Sequence, residues 1–279
     1  MSDIKIICES ISDLPTNIEE VEVLPVNILF EGVEYRAGVD ISTNEFYKLL
    51  RNSKTMPTTS QITYKTFTDV FERYLDEGKT VIYMAGSSSA SGTYQSAVLA
   101  KNDIENENLH IFDTYSLSAG GGMLVYEASK MVKEGFSVQE ILAKLETYKE
   151  KTTLFFSVDS LEYLQKGGRI SGVKAAVGSM LNIKPILKVE DGLVKESSKV
   201  RGSKKIMPTL IKELSNACGG DFSNKTVYVG YGDDLSLRDE LLEKVKSELN
   251  PKEVLVFQIG SCVACHSGPD VLGLGCLNI

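Results

Sequence analysis

The chain has 279 residues, of which 30 are Lys or Arg and 38 are Asp or Glu, for a net charge of -8. That length suits two domains better than one, and the acidic balance argues against a general nucleic-acid binder, which carries a basic face. The opening MSDIKIICES lacks the basic end and apolar run of an export signal, and no apolar run approaches the roughly 18–20 residues of a membrane span, so a cytoplasmic location is expected. The cysteines, Cys8, Cys218, Cys262, Cys265 and Cys276, are odd in number and thinly spread, which suits reduced thiols rather than a disulfide framework.

IKIIC at 4–8 and VEVLPVNILF at 21–30 read as two strands. Ser42 and Glu45 have capping-box spacing and predict a helix over 45–51. MPTTSQIT at 56–63 is loop chemistry, with one Pro, four hydroxyls and too few apolar positions for either period. An amphipathic helix, TFTDVFERYLDEG, closes at Gly78, and TVIYMA at 80–85 is a buried strand. After GSSSASGT come a helix from about 94 to 101, a strand LHIFD at 109–113 and a helix over about 116–133. Ser137 and Glu140 cap another helix that runs to about 150.

Strands alternating with helices imply a mainly parallel, doubly wound sheet. Beyond Thr152 the rhythm changes: strand TLFFSV, short helix DSLEYLQK, a helix near 173–181, then IKPILKV. Asp191-Gly192 marks a hairpin, so antiparallel pairing enters there. Helices at 204–217 and 236–249 flank the strand TVYVGY, and EVLVFQIG and VLGLGCLNI close the chain as strands. The expected domains are 1–150, with a parallel doubly wound sheet, and 151–279, a mixed α/β domain.

Three segments carry candidate chemistry. In GSSSASGT a strand gives way to a flexible loop and then a helix, whose N-terminus offers free backbone N–H groups and a partial positive charge. Ser91 and Thr93 add hydroxyl donors, Gly92 allows close approach, and the absence of a P-loop lysine argues against a triphosphate. Thr58, Thr59, Ser60 and Gln61 add neutral donors on a loop of the same half. The third segment, Cys262-Val-Ala-Cys265-His266, has the spacing of covalent haem attachment, but no export signal precedes it. A zinc site there needs a fourth ligand from afar. His110 lies in a strand pattern and reads as structural.

In order and spacing, TTSQ at 58–61, SSSASGTYQSA at 87–97, DTYSLSAGGG at 113–122, LQKGGRIS at 164–171, LNIKPIL at 181–187, KVRG at 199–202 and HSGP at 266–269 resemble the DegV family of bacterial lipid-binding proteins, almost end to end. The resemblance implies a two-domain α/β fold with a long-chain fatty acid, such as palmitate, stearate or oleate, in a tunnel between the domains. It places Thr59, Ser91 and His266 on the carboxylate-holding positions, with Ser60, Gly92 and Thr93 beside them. It also implies hand-over of the lipid to an ATP-dependent fatty acid kinase that makes an acyl phosphate, with no cofactor and no metal. Transient membrane contact is compatible with that role, and Arg201, among Lys199, Lys204 and Lys205, is the candidate partner contact.

Three departures from the family pattern stand out. Glu9-Ser10 replaces the usual Asp-Ser and is one methylene longer, which suggests a reshaped pocket wall. Asp270 replaces a glycine, which suggests a second carboxylate near the head group. Cys262 and Cys265 suggest unusual reactivity. The competing readings are a serine-dependent hydrolase, although no G-x-S-x-G elbow is present, and a metal or redox protein centred on Cys262, Cys265 and His266.

Overall fold

The structure, a computed structural model, describes residues 3–15, 18–170 and 182–279. Strand β1 (Ile4–Glu9) is joined in parallel by β2 (Val21–Leu24). The expected single strand over 21–30 is instead two, because Pro25 lacks an N–H and breaks the ladder. Val26 donates its amide to Ser10 Oγ at 2.9 Å, and the chain leaves as the hairpin β3 (Asn27–Phe30) and β4 (Val33–Arg36). Helix α1 (Thr43–Asn52) begins with the Ser42/Glu45 capping box in both directions.

Next comes β5 (Thr58–Ser60), where a loop is expected; its three residues pair antiparallel with β3, Thr59 opposite Ile28. This pairing sets the side-chain alternation, leaving Thr59 half-buried and its two neighbours exposed. Helix α2 (Tyr64–Asp76), β6 (Thr80–Ala85), α3 (Thr93–Ile104), β7 (Leu109–Asp113), α4 (Ala119–Lys133) and α5 (Val138–Glu150) complete this half.

The first sheet is parallel throughout, in the order β2-β1-β6-β7. Period-2 alternation divides its side chains between two cores. Ile7, Val81 and Tyr83 pack with Phe67, Phe71, Ala97 and Ala100 of α2 and α3. Ile6, Cys8, Ile82 and Met84 pack with Leu124, Ala128, Ile141 and Leu145 of α4 and α5. Helices on both faces leave the inner strand β6 no wet side, which explains its run of buried residues Val81–Ala85.

The remaining elements are β8 (Thr152–Ser157), α6 (Glu162–Lys166), β9 (Ile183–Glu190), β10 (Leu193–Arg201), α7 (Ile206–Ala217), β11 (Thr226–Tyr231), α8 (Leu235–Leu249), β12 (Glu253–Gln258), α9 (Ser261–Ser267) and β13 (Leu272–Leu277). A 3-10 turn at Ser203–Lys205 takes up the start of the helix expected from 204. The helix expected near 173–181 lies outside the described residues. The β9–β10 hairpin turns where predicted, with Asp191 at φ 53 and Gly192 at φ 72, the paired positive φ of a tight two-residue turn.

The second sheet is mixed, in the order β10-β9-β8-β13-β11-β12. The protein is therefore an α/β fold with one parallel and one mixed sheet, as expected. Among the described residues no helix is long and apolar enough to cross a membrane.

Candidate functional site

A cavity of about 1010 Å³, its open mouth included, lies between the carboxyl ends of the first sheet and one face of the mixed sheet. Ligands in open parallel sheets commonly bind off those strand ends. One part of the wall is polar: Glu9 at the end of β1, Thr59 and Ser60 on β5, Ser91 and Thr93 at the start of α3, and His266 on α9. Gln61, Ser118, Arg169 and Ser267 also line it, and most of the remaining wall is apolar, chiefly Leu154 and Phe156 of β8, Val189 and Val194 of the hairpin, Phe257 of β12, and Val271. Gly230 and Gly273 face each other in register across β11 and β13 and both line the cavity. The bare Gly230 is covered by the Phe257 ring, which a Cβ there would meet at 2.7 Å, whereas a Cβ at Gly273 would meet nothing closer than 3.5 Å.

His266 Nε2 lies 3.0 Å from Thr59 Oγ1, joining residues 207 positions apart. Burial, reinforced by the nearby Arg169 cation, lowers the His266 pKa to about 4, so the ring is neutral at neutral pH. Its Nδ1 is buried with no partner among the described residues. Gly167 is what allows this position, because a Cβ there would lie 2.2 Å from Nδ1. Arg169 reaches the same wall but turns its guanidinium to carbonyls, with Nε donating to Ala90 O at 3.2 Å and Nη1 to Gly167 O at 2.6 Å.

Helix α9, absent from the sequence reading, is what brings His266 here. It is only seven residues long and rich in small and sulfur side chains, so no helical period is visible in SCVACHS. Its inner face, Cys262, Ala264 and Cys265, packs into the core with α1, α2 and α3. Asp13 fixes its start: Oδ1 accepts the Gly260 amide at 2.9 Å and Oδ2 the Ser118 hydroxyl at 2.5 Å. Burial raises the Asp13 carboxyl to about 7.

The other predicted residues divide. Ser91 lines the cavity while its Oγ accepts the Thr93 amide at 3.3 Å. Thr93 and Ser60 line it as well. Gly92 is not in the wall; a Cβ there would meet Gln61 Nε2 at 2.0 Å, so its bareness seats the Gln61 side chain, which is in the wall. Arg201 is exposed at the end of β10, away from the cavity wall, with exposed Lys204 and Lys205 beyond it.

Two expectations are corrected. Asp270 is not a head-group carboxylate, because it turns outward to Arg51, whose Nη2 donates to its Oδ1 at 2.7 Å. Cys262 and Cys265 are buried, and desolvation raises both thiols above their ordinary value, which suppresses the reactive thiolate. Among the described residues no group of three or more His, Cys, Asp or Glu is placed to hold a metal ion. Among the described residues His266 finds a threonine rather than a serine and no carboxylate orients its Nδ1, so they do not assemble a serine triad.

Fold and cavity together define a class: an α/β protein whose two sheets enclose an apolar chamber with a hydroxyl-lined end. The chain belongs to the DegV family, whose model, described as an uncharacterised protein family, matches residues 3–278. A DegV domain-containing protein of Caldanaerobacter subterraneus is 37% identical over 277 residues, covering 98% of each chain. A DegV domain-containing protein of Clostridium perfringens is 34% identical, covering 98% of this chain and 97% of its own.

Among solved structures, a fatty-acid-binding DegV family protein of Thermus thermophilus superposes with a TM-score of 0.90 at 33% identity and full coverage of both chains. A stearic acid-binding protein of Eubacterium ventriosum superposes with a TM-score of 0.87 at 27% identity over 98% of each.

Proposed function

We propose that this chain binds one long-chain fatty acid, with the tail against the mixed sheet and the carboxylate at Thr59, Ser91 and His266, and presents that carboxylate to a partner rather than catalysing a reaction alone. The observation that carries the reading is the 3.0 Å Thr59–His266 contact at the hydroxyl end of a largely apolar cavity. The fatty acids bound by the Thermus and Eubacterium proteins support the ligand class.

The energetics are consistent with this division. Each buried methylene contributes about 0.8 kcal/mol, so a palmitate-length tail contributes roughly 10 kcal/mol before ordering costs. An unpaired carboxylate in an apolar pocket would cancel much of that gain. A neutral His266 donating Nε2–H to Thr59 Oγ1 frees the threonine proton for the carboxylate, and Ser91 and Ser60 add further hydroxyls. Hydrogen bonds from neutral groups hold the anion without a buried counter-ion and leave it nucleophilic.

The proposed partner is an ATP-dependent fatty acid kinase, which docks at Arg201 and its neighbouring lysines. Residues 1–150 and 151–279 form the two domains in this reading, and the protein acts in the cytoplasm. Native mass spectrometry of the purified protein tests the ligand: an excess of a few hundred daltons, released by denaturing extraction as free fatty acid, is expected. Protein of bare mass that also fails to take up added palmitate rejects the reading. With the kinase present, Arg201→Glu should slow phosphorylation of bound lipid yet leave binding unchanged.

A further inference from the structure

Glu9 is fully buried at the carboxyl end of β1 and lines the cavity. Its Oε1 is occupied, accepting the Gly86 amide at 2.9 Å and the Tyr83 hydroxyl at 3.1 Å. Its Oε2 is buried with no partner within hydrogen-bond distance among the described residues, although the Thr93 hydroxyl of the same wall also acts on this carboxyl. A buried oxygen left so is costly unless something else satisfies it, and Glu9 shares its wall with Thr59, Ser91 and His266.

Resting on the fatty-acid reading above, we infer that Glu9 belongs to the head-group site: it carries a proton on Oε2 and donates it to the bound carboxylate, so that two acids share one proton. No covalent step is involved. The proton stays on Glu9, and the lipid remains an anion held by one more hydroxyl-like donor.

The surroundings favour the neutral form. Burial is the largest influence raising the Glu9 pKa, and Asp113 at the end of β7 adds to it, against the lowering effect of the Gly86 amide and the Tyr83 and Thr93 hydroxyls. Cys8 beside it on β1 and Cys262 from α9 are buried thiols, themselves raised above their ordinary value. His266, from the same helix, is neutral at neutral pH. Arg169, from the segment after α6, is the cation in the same wall, and its guanidinium is turned to the Ala90 and Gly167 carbonyls. Asp13, in the loop after β1, is a second buried acid near this end, and it binds Ser118 and Gly260 instead. An arriving carboxylate raises the Glu9 pKa further, because two adjacent anions repel. The donor is present below that raised value and lost above it, so affinity falls as pH rises through it.

Infrared difference spectra of the palmitate complex test this, using palmitate labelled with 13C at its carboxyl. A protonated-carboxyl band that does not shift with the label is expected; it should vanish in Glu9→Gln and survive in Asp13→Asn. Glu9→Gln, which keeps a donor, should bind palmitate within about threefold of wild type, and Glu9→Ala should lose about tenfold or more. Identical spectra for wild type and Glu9→Gln overturn the inference, as does undiminished binding by a folded Glu9→Ala. Wild-type protein that takes up no palmitate would instead reject the fatty-acid reading itself.

Discussion

The two ends of the cavity are built by different means. The hydroxyl end is assembled from short, irregular pieces: a three-residue strand carrying Thr59, a helix start carrying Ser91 and Thr93, and a seven-residue helix carrying His266. Directional bonds hold these pieces together, namely Thr59 to His266 and Asp13 to both Gly260 and Ser118. The apolar end is one face of a regular sheet, shaped by Phe156, Val189 and Phe257, whose ring lies over Gly230, and by the side chain missing at Gly273. A proton should therefore alter the first end and a methyl group the second, and each kind of change should leave the other end alone.

The largest effect expected is at the hydroxyl end. Burial raises Asp13 from 3.8 to about 7. Between those values the folded chain keeps a proton that the unfolded chain releases, so this contribution is complete below about pH 4 and is lost as pH rises to about 7. A shift of about three units corresponds to roughly 4 kcal/mol. His266 works in the opposite direction: lowered from 6.5 to about 4, it adds stability as pH rises through that window. The two slopes oppose each other in the wild type. Urea denaturation should show Asp13→Asn gaining on wild type by up to roughly 4 kcal/mol from about pH 4 to about pH 7. A difference constant with pH would remove Asp13 from this role.

Next in size is a change confined to the apolar end. A Cβ at Gly273 would sit at ordinary contact, 3.5 Å from Phe155 O and from Phe156 Cβ, so Gly273→Leu is accommodated while its side chain occupies the cavity. Excluding about four methylenes costs about 3 kcal/mol of tail burial. The mass of the co-purified lipid should fall accordingly, with Thr59 and Ser91 still required. The reciprocal change, Thr59→Ala with Ser91→Ala, should weaken binding by roughly 2 kcal/mol, about one per lost hydrogen bond, without changing which tail length is preferred. If the hydroxyl variants shift tail preference, the two ends are not independent.

The apolar and hydroxyl ends also differed in how far the sequence disclosed them. Strands 4–9, 80–85 and 109–113 are legible because each carries a short apolar segment that is buried: Ile6–Cys8, Val81–Ala85, and Leu109 with Phe112. Both capping boxes, Ser42/Glu45 and Ser137/Glu140, formed as their spacing predicted. Thr58–Ser60 was unreadable as a strand because three residues cannot display a period, and its pairing with β3 is a tertiary event. Pro25 marks the break in the sequence, but the extended runs on both sides of it, Val21–Leu24 and Asn27–Phe30, read as one continuous strand. Thr59, Ser91 and His266 stood out through family motifs. Glu9 is visible in the sequence as a departure at a pocket wall, but its unpaired oxygen comes only from burial, and the Gly230–Gly273 pairing only from strand register. Neither is written in local spacing.

The smallest effect tests how firmly the hydroxyl end is tied to its surroundings. Arg51 on α1 donates Nε and Nη2 to Asp233 at 2.9 and 2.5 Å, and Nη1 and Nη2 to Asp270 at 3.1 and 2.7 Å. This double fork joins α1 to the turn after β11 and to the segment that follows His266. The Arg51 side chain is 39% exposed, so solvent screens the pairs and limits their net contribution to about 1 kcal/mol. Arg51→Ala should lower stability by about that amount at low salt and by less at high salt. Arg51→Lys, which keeps the charge but loses the planar fork, should recover only part of it. Palmitate affinity should drop by less than about threefold, because Asp13 still anchors the start of α9. A larger loss of affinity with unchanged stability would mean that the clamp positions His266 directly, and the hydroxyl end would then depend on long-range ion pairing as much as on its own hydrogen bonds.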